Sequence, residues 1–367
     1  MKFNLSKPSS SKSKHPDRQY QNYVFIFLIL CSTCLFLKTL LDINILVSTG
    51  RMVSTQDWVD LMLSQKEKMA ENSPIEPQRI LIVSASNGLF SLSAKTISQK
   101  TGLRTINLGS YGGLGGAYIL NRTSKLIRKG DIILLPLEYE FYSSSDISGD
   151  FKKDSSLARF MISYDRNSLK EISTASILNF VFSNAFSGNG KKEYMSYFRG
   201  HLGKKDILER LQQQHLKGGC YSGYSLNEYG DETCNKGNAD APVNPDVIKD
   251  ATPRMPRSMS TIDPGGYIQR FVQLATNKGA KIIPLYPVST YTDDYQDLAF
   301  KKSAQKIKKY WEDRGIEFQD SLIDSLLPPN LMFNANYHAN DIGREKRTKI
   351  IINTIENYLK KSKQGRA

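Results

Sequence analysis

The sequence predicts an open, doubly wound, mostly parallel α/β sheet that carries a large insertion and is tethered by one N-terminal transmembrane helix. Three observations predict it. One apolar stretch near the N-terminus is long enough to cross a bilayer. Short apolar runs alternate with helix-like segments from about residue 79, and the alternation is interrupted once, between about 141 and 262. With 367 residues, 40% of them hydrophobic, the chain can bury one large core.

Residues 1–22 form a polar basic tail, with Lys2, Lys7, Lys12, Lys14 and Arg18 against Asp17, and the first twenty are expected to be disordered. Residues 23–41 are the anchor. Tyr23 to Leu37 has no charge, and apolar character resumes after Lys38, whose stem can run along a helix while its ammonium reaches the headgroups. Positive charge on the leading side favours a cytoplasmic N-terminus. The expectation is a single-pass protein of the cell (inner) membrane whose C-terminal domain is periplasmic or extracellular. The alternative is a cleaved signal peptide, but LDINILVSTG after the apolar run lacks a small-x-small cleavage site.

Cysteine usage agrees with an oxidising side. Cys220 and Cys234, the two cysteines outside the apolar segment, lie in one loop-like stretch, and closing so short a loop is worth about 3 kcal/mol. Cys31 and Cys34 form a CxxC at membrane depth, without water or base, and read as small apolar fillers.

The net charge of +14 sits mostly at the two ends, +4 over residues 1–22 and +6 over residues 344–367, which leaves +4 for everything between. No basic face interleaved with stacking aromatics is visible, so nucleic acid is not an expected partner. Lys360, Lys361, Lys363 and Arg366 read as a solvated helix end, the alternative being contact with anionic lipid or an acidic polymer.

Residues 42–78 form a juxtamembrane linker or helix with helical periodicity in Trp58, Leu61 and Met62, ending at ENSPIEPQ. Residues 79–362 make the outward domain and 363–367 a short tail. Buried parallel strands are predicted at Ile80 to Val83, Arg104 to Asn107, Ile132 to Leu135, Lys281 to Leu285 and Ile316 to Gln319. Helices are predicted around Leu89 to Lys100, Gly116 to Arg128, Tyr267 to Lys278 and Phe300 to Arg314. The segment 141–262, rich in Ser, Gly, Asn, Tyr and Lys, is the expected insertion.

In such a sheet, functional groups gather beyond the C-terminal ends of the strands. The first strand runs into SASN, Ser84 to Asn87. Ser86 there is either a nucleophile near the positive end of a helix or that helix's N-cap. The second runs into INLGSYGGLGG, with Gly109, Gly112, Gly113, Gly115 and Gly116. Its spacing is not that of a phosphate loop, and its glycines either present backbone N–H groups to a ligand or simply make turns. Of four histidines, His15 is in the tail, and His201 and His215 are in the insertion without a motif. His338, in FNANYHANDIGREKRT, follows the last strand and is placed to take a proton from Ser86. Cys and His clusters at ligand spacing are absent outside the anchor, so neither metal nor cofactor is expected.

Together SASN, NLG with its Gly-rich extension, the apolar third strand, and YHAN with GR..RT resemble the SGNH (GDSL-like) hydrolase family, whose sheet is flavodoxin-like. Within it they are most similar to membrane-anchored members associated with bacterial surface-polysaccharide acylation. The matching blocks span about residues 78–142 and 265–360. The resemblance implies Ser86 as nucleophile and His338 as base, with oxyanion or substrate-binding positions at Asn87, Gly109, Gly112 and Gly113, the second N–H donor being Gly112 or Gly113. Two departures stand out. The family's asparagine block is replaced by PLEYEFY, which puts Glu138 and Tyr139 at the donor position. The family's aspartate before the histidine is absent, which leaves Asn334 to orient the imidazole or Asp320 or Asp341 to substitute.

The implied function is an O-acyltransferase or carbohydrate esterase acting on extracytoplasmic polysaccharide, with acetyl as the acyl group and an acyl-serine intermediate. Its implied partners are membrane lipid through the anchor, the polysaccharide and a membrane-bound O-acyltransferase. The alternative is a catalytically impaired SGNH-like scaffold or glycan-binding component of a membrane polysaccharide-modification complex.

Overall fold

The computed structural model describes residues 17–49, 54–74, 78–144, 146–152, 155–185, 204–238 and 242–364. His15, His201 and the first sixteen residues of the basic tail lie outside them. Helix α1 (Asp17–Thr49) includes the one described helix long and apolar enough to cross a membrane, Tyr20–Lys38, with a mean hydropathy of 1.7 and none of it buried. Cys31 and Cys34 are free thiols within it.

Helix α2 (Ser54–Glu71) follows at once and is not a bare connector. Its apolar residues recur on one face, and Trp58, Val59, Met62 and Ala70 are buried in the main core. Asp57, also buried, accepts from Tyr164 and pairs with Arg210, which ties α2 to the chain beyond residue 141.

Four parallel strands, β1 (Ile80–Ile82), β2 (Thr105–Asn107), β3 (Ile132–Pro136) and β4 (Lys281–Leu285), form the sheet in the order β2-β1-β3-β4. Alternate side chains point to opposite faces. Ile80, Ile82, Ile132, Leu134, Ile283 and Leu285 pack with Ile97 and with Ile351, Ile352 and Ile355 of the C-terminal helix Asp341–Gln364. Leu81, Val83, Ile133 and Leu135 face a second, larger core containing helix Tyr267–Asn277 and α2. Covering both faces is what lets the strands be continuous apolar runs.

The expected helix Leu89 to Lys100 is broken in two, α3 (Ser86–Ser91) and α4 (Ala94–Thr101). The break is built from side chains. Ser93 Oγ accepts from Thr96 N at 3.2 Å, Thr348 Oγ1 accepts from Ser93 N at 2.9 Å, and the Asp231 carboxylate accepts from Ala94 N and Lys95 N at 2.8 and 3.0 Å. A fresh helix start satisfied so fully costs less than carrying one helix straight through.

The fifth expected strand, Ile316 to Gln319, does not form; the segment is irregular. The free edge of β4 carries Pro284, which has no N–H to offer a neighbour. The segment is held by side chains instead. Phe318 packs edge-on to Tyr286 at 4.6 Å, and Asp320 accepts from Tyr286 N at 2.8 Å. A small second sheet pairs β5 (Ser289–Thr290) with β6 (Leu326–Leu327), parallel and too short to show any period in sequence.

Among the described residues between β3 and helix Tyr267–Asn277 are the helices Ser156–Tyr164, Thr174–Ala185 and Lys204–Leu216. Thr174–Ala185 packs along α1. The Cys220–Cys234 disulfide is formed, with 5.3 Å between Cα atoms.

Asp320, one of the two acids considered as a partner for His338, is bonded bidentately to Arg347, both side chains being 1% exposed. Removing one partner of such a pair leaves a bare buried charge, which costs about 3–5 kcal/mol. Asp320→Asn is therefore expected to lower the unfolding midpoint of the detergent-solubilised chain in urea steeply. An unchanged midpoint would mean that the pair carries no structural weight.

Candidate active site

The turn after β1 brings Ser84, Ala85 and Ser86 to the rim of the sheet. The N-cap of α3 is Ala85, so Ser86 is not the cap that the plainer reading of SASN proposed. The capping is done from another strand. Glu138, just past β3 and 4% exposed, accepts from Asn87 N at 2.8 Å, Ala85 N at 3.2 Å and Ser84 Oγ at 3.0 Å. Burial pushes the Glu138 carboxyl up to about 7, against those hydrogen bonds.

The loop after β2 lies against α3 through two glycines. Gly109 has no room for a side chain, because a Cβ would overlap Leu89 N and the carbonyl carbon of Gly88. Asn107 fastens the contact: its Nδ2 donates to Gly88 O at 2.7 Å, and its Oδ1 accepts from Gly109 N at 2.8 Å. Lys66 of α2, 1% exposed, donates to Gly109 O at 2.6 Å. Burial pulls its ammonium down to about 7, with Asp231 and Glu232 pulling the other way. Gly112 and Gly113 then open a short 3₁₀ turn, Gly112–Leu114.

His338 stands on a tight loop. Phe333 N donates to His338 O at 2.7 Å and His338 N to Ala335 O at 3.1 Å, which folds residue 334 back over residue 338. As a result Asn334 Oδ1 lies 2.7 Å from His338 Nδ1, while Asn334 Nδ2 donates to the Tyr221 hydroxyl at 2.9 Å. An amide oxygen can only accept, so Nδ1 carries the hydrogen and Nε2 is the basic nitrogen. The imidazole stacks on Phe90 of α3 at 4.4 Å, and Asn87 and Ser91 of α3 both donate to Tyr337 O, at 3.3 and 2.9 Å. The helix that begins with Ser86 thus carries the histidine loop on its flank.

Ser86 and His338 line one cavity of about 440 Å³, together with Gly112, Gly113 and Ser110. Its remaining walls are Leu89, Phe90, Trp58, Tyr111, Tyr221 and Gln214. Trp58 packs against Tyr111 at 5.9 Å and Tyr221 at 5.2 Å. Sequence reading missed Trp58, Tyr221 and Gln214 as parts of the site. Trp58 left only the apolar spacing of an ordinary core helix, and Tyr221 carried no signal beyond its place next to Cys220.

Four positions taken as oxyanion or substrate-binding groups are placed elsewhere. Asn87 has its amide buried, donating to Val288 O at 2.9 Å and to Tyr337 O. Gly109 has its N–H and C=O engaged by Asn107 and Lys66. Glu138 sits beneath the turn. Tyr139 is fully buried outside the cavity, its N–H donating to the Tyr337 hydroxyl at 3.3 Å. The second acid considered for His338, Asp341, begins the last helix and accepts from Gly237 N at 2.7 Å, away from the imidazole. Among the described residues, no group of three or more His, Cys, Asp and Glu side chains is placed to hold a metal ion.

No protein-family model matches this chain, and no curated protein matches it significantly in sequence.

Burial holds His338 down at about 4 from an ordinary 6.5, the Asp250 carboxylate acting against the shift. Between pH 6.5 and 4 the unfolded chain binds a proton that the folded chain refuses, so this group's contribution to stability is lost as pH falls through that window. Glu138 works from the other side. Its carboxyl ionises near 4.5 when unfolded and near 7 when folded, so its contribution falls as pH rises between those values. Two outcomes are expected: imidazole resonances of His338 titrating near pH 4, and a Glu138→Gln stability that gains on the wild type as pH rises from 4.5 to 7. A His338 midpoint at 6.5 or above would contradict the first.

Proposed function

We propose that this protein is a membrane-anchored, SGNH-like O-acyltransferase or esterase that acts on O-acyl groups, acetyl above all, of extracytoplasmic polysaccharide. The observation that carries the reading is that Ser86 and His338 line one cavity, with His338 Nδ1 held by Asn334 Oδ1 at 2.7 Å. In the first half-reaction the Ser86 hydroxyl attacks the acyl carbonyl while His338 Nε2 takes its proton. Collapse of the tetrahedral intermediate releases the donor's alkoxide, which His338 reprotonates. In the second, a sugar hydroxyl or water gives its proton to His338 and attacks the acyl-serine, and Ser86 is regenerated.

The N–H groups of Ser86 and of Gly112 or Gly113 are the oxyanion donors in this reading. Asn334 replaces the usual acid: it sets the tautomer but supplies no charge to the imidazolium, so the base works at the cost of a weaker second partner. The basic tail, the apolar helix and the disulfide support a domain on the oxidising side; the resemblance implies a membrane-bound O-acyltransferase as the source of acyl groups. The amide in place of a carboxylate also favours a second reading, an inactive glycan-binding scaffold of the same complex.

A fluorophosphonate probe separates the two. Labelling of the full chain in detergent is expected, lost in Ser86→Ala and reduced at least about 100-fold in His338→Ala, with circular dichroism unchanged. A well-folded wild-type chain that never labels supports the scaffold.

A further inference from the structure

Tyr221 holds a backbone conformation that side-chain-bearing residues rarely adopt, with φ at +60°. It directly follows Cys220, which is joined to Cys234, and Cys220 O accepts from Gln214 Nε2 at 2.6 Å. Its ring lies between Trp58 at 5.2 Å and Phe90 at 5.8 Å. A residue clamped on both sides against its own backbone preference suggests that its hydroxyl is needed where it is.

That hydroxyl touches Asn334 Nδ2 at 2.9 Å and lies 3.4 Å from His338 Nδ1. An asparagine facing a histidine has a difficulty that an aspartate does not. Both carboxylate oxygens accept, whereas an amide turned by 180° would offer Nδ2–H to the imidazole and force the hydrogen onto Nε2, which abolishes the base. The phenol oxygen distinguishes the two orientations. As found, it faces two N–H groups, one from Asn334 and one from His338. In the reversed arrangement the phenol would give its proton to Asn334 Oδ1 and leave its oxygen 3.4 Å from an Nδ1 without a hydrogen, an acceptor facing an acceptor.

We infer that Tyr221 is a positioning residue for His338: held by the disulfide-closed loop, its phenol oxygen keeps the Asn334 amide turned with Oδ1 toward the imidazole and thereby selects the tautomer with a basic Nε2. This inference rests on the reading of Ser86 and His338 as the reacting pair. The disulfide, on this view, belongs to the site, through Tyr221, as much as to the fold.

The test is a double-mutant cycle on the full chain in detergent, following the rate of fluorophosphonate labelling for wild type, Tyr221→Phe, Asn334→Asp and the double variant. Tyr221→Phe keeps the ring between Trp58 and Phe90 and is expected to slow labelling about ten-fold. In the Asn334→Asp background, where the acceptor cannot be turned the wrong way, the same change is expected to cost less than about two-fold. An equal loss in both backgrounds, or no loss in either, overturns the inference.

A second readout needs no reaction. In the full chain labelled with ¹⁵N-histidine, His338 is expected as the Nδ1–H tautomer in wild type and as a mixture with Nε2–H in Tyr221→Phe. Nε2–H in wild type, or an unmixed Nδ1–H in Tyr221→Phe, overturns it. If the wild type fails to label at all, the acyl-transfer reading falls while the tautomer measurement still decides the role of Tyr221.

Discussion

A buried carboxylate organises the end of this sheet at which the cavity opens. Glu138 reaches from the end of β3 under the turn that leaves β1 and accepts from two backbone N–H groups and one hydroxyl there. The first turn of a helix has N–H groups without intrahelical partners, and a negative charge near them is favoured by the helix dipole. In α3 the residue at the cap position is alanine, with nothing to offer. Because Glu138 fills that need from another strand, Ser86 is left facing the cavity instead of bending back onto its own backbone. The carboxylate that replaces the family's asparagine is thus part of what presents the serine to the cavity.

The cavity is assembled from segments far apart in the chain, and each is anchored to α3 or to the loop beside it. Lys66 fastens the helix that follows the apolar anchor to Gly109, at 2.6 Å. Asn107 fastens the loop after β2 to Gly88, and Asn87 and Ser91 fasten the histidine loop through Tyr337 O. Such bonds are worth individually about 1 kcal/mol, but they are buried, and losing one strands a partner at greater cost. The arrangement also places Trp58, five residues into α2, in the cavity wall. Helix α2 and the cavity wall therefore form one packed unit.

Much of this was legible in the sequence. The four apolar runs that became β1 to β4 were visible because strands covered on both faces need no polar alternation. The disulfide followed from two cysteines in one stretch, and the pairing of Ser86 with His338 was implied by the resemblance; both residues line the same cavity. Other readings failed for identifiable reasons. Ile316 to Gln319 has strand composition, but the proline in β4 and the Asp320 carboxylate replace the ladder it would have joined. Gly109 and Asn87 sit in the same motifs as Ser86 and Gly112, and their polar groups are engaged within the protein, Gly109 by the side chains of Asn107 and Lys66, the Asn87 amide by Val288 O and Tyr337 O.

What the sequence determined by itself is what depends on local composition: one helix apolar enough for a bilayer, strands with two apolar faces, glycines where backbones approach, and a loop closed by cysteines. These follow from transfer free energies and steric limits that each segment carries with it. Tertiary structure alone decided which residue caps α3, that Tyr221 meets Asn334, and that Tyr221 and Trp58 share a wall. Those outcomes depend on hydrogen bonds and ring contacts between residues 50 to 250 positions apart, and no short stretch of chain contains both partners.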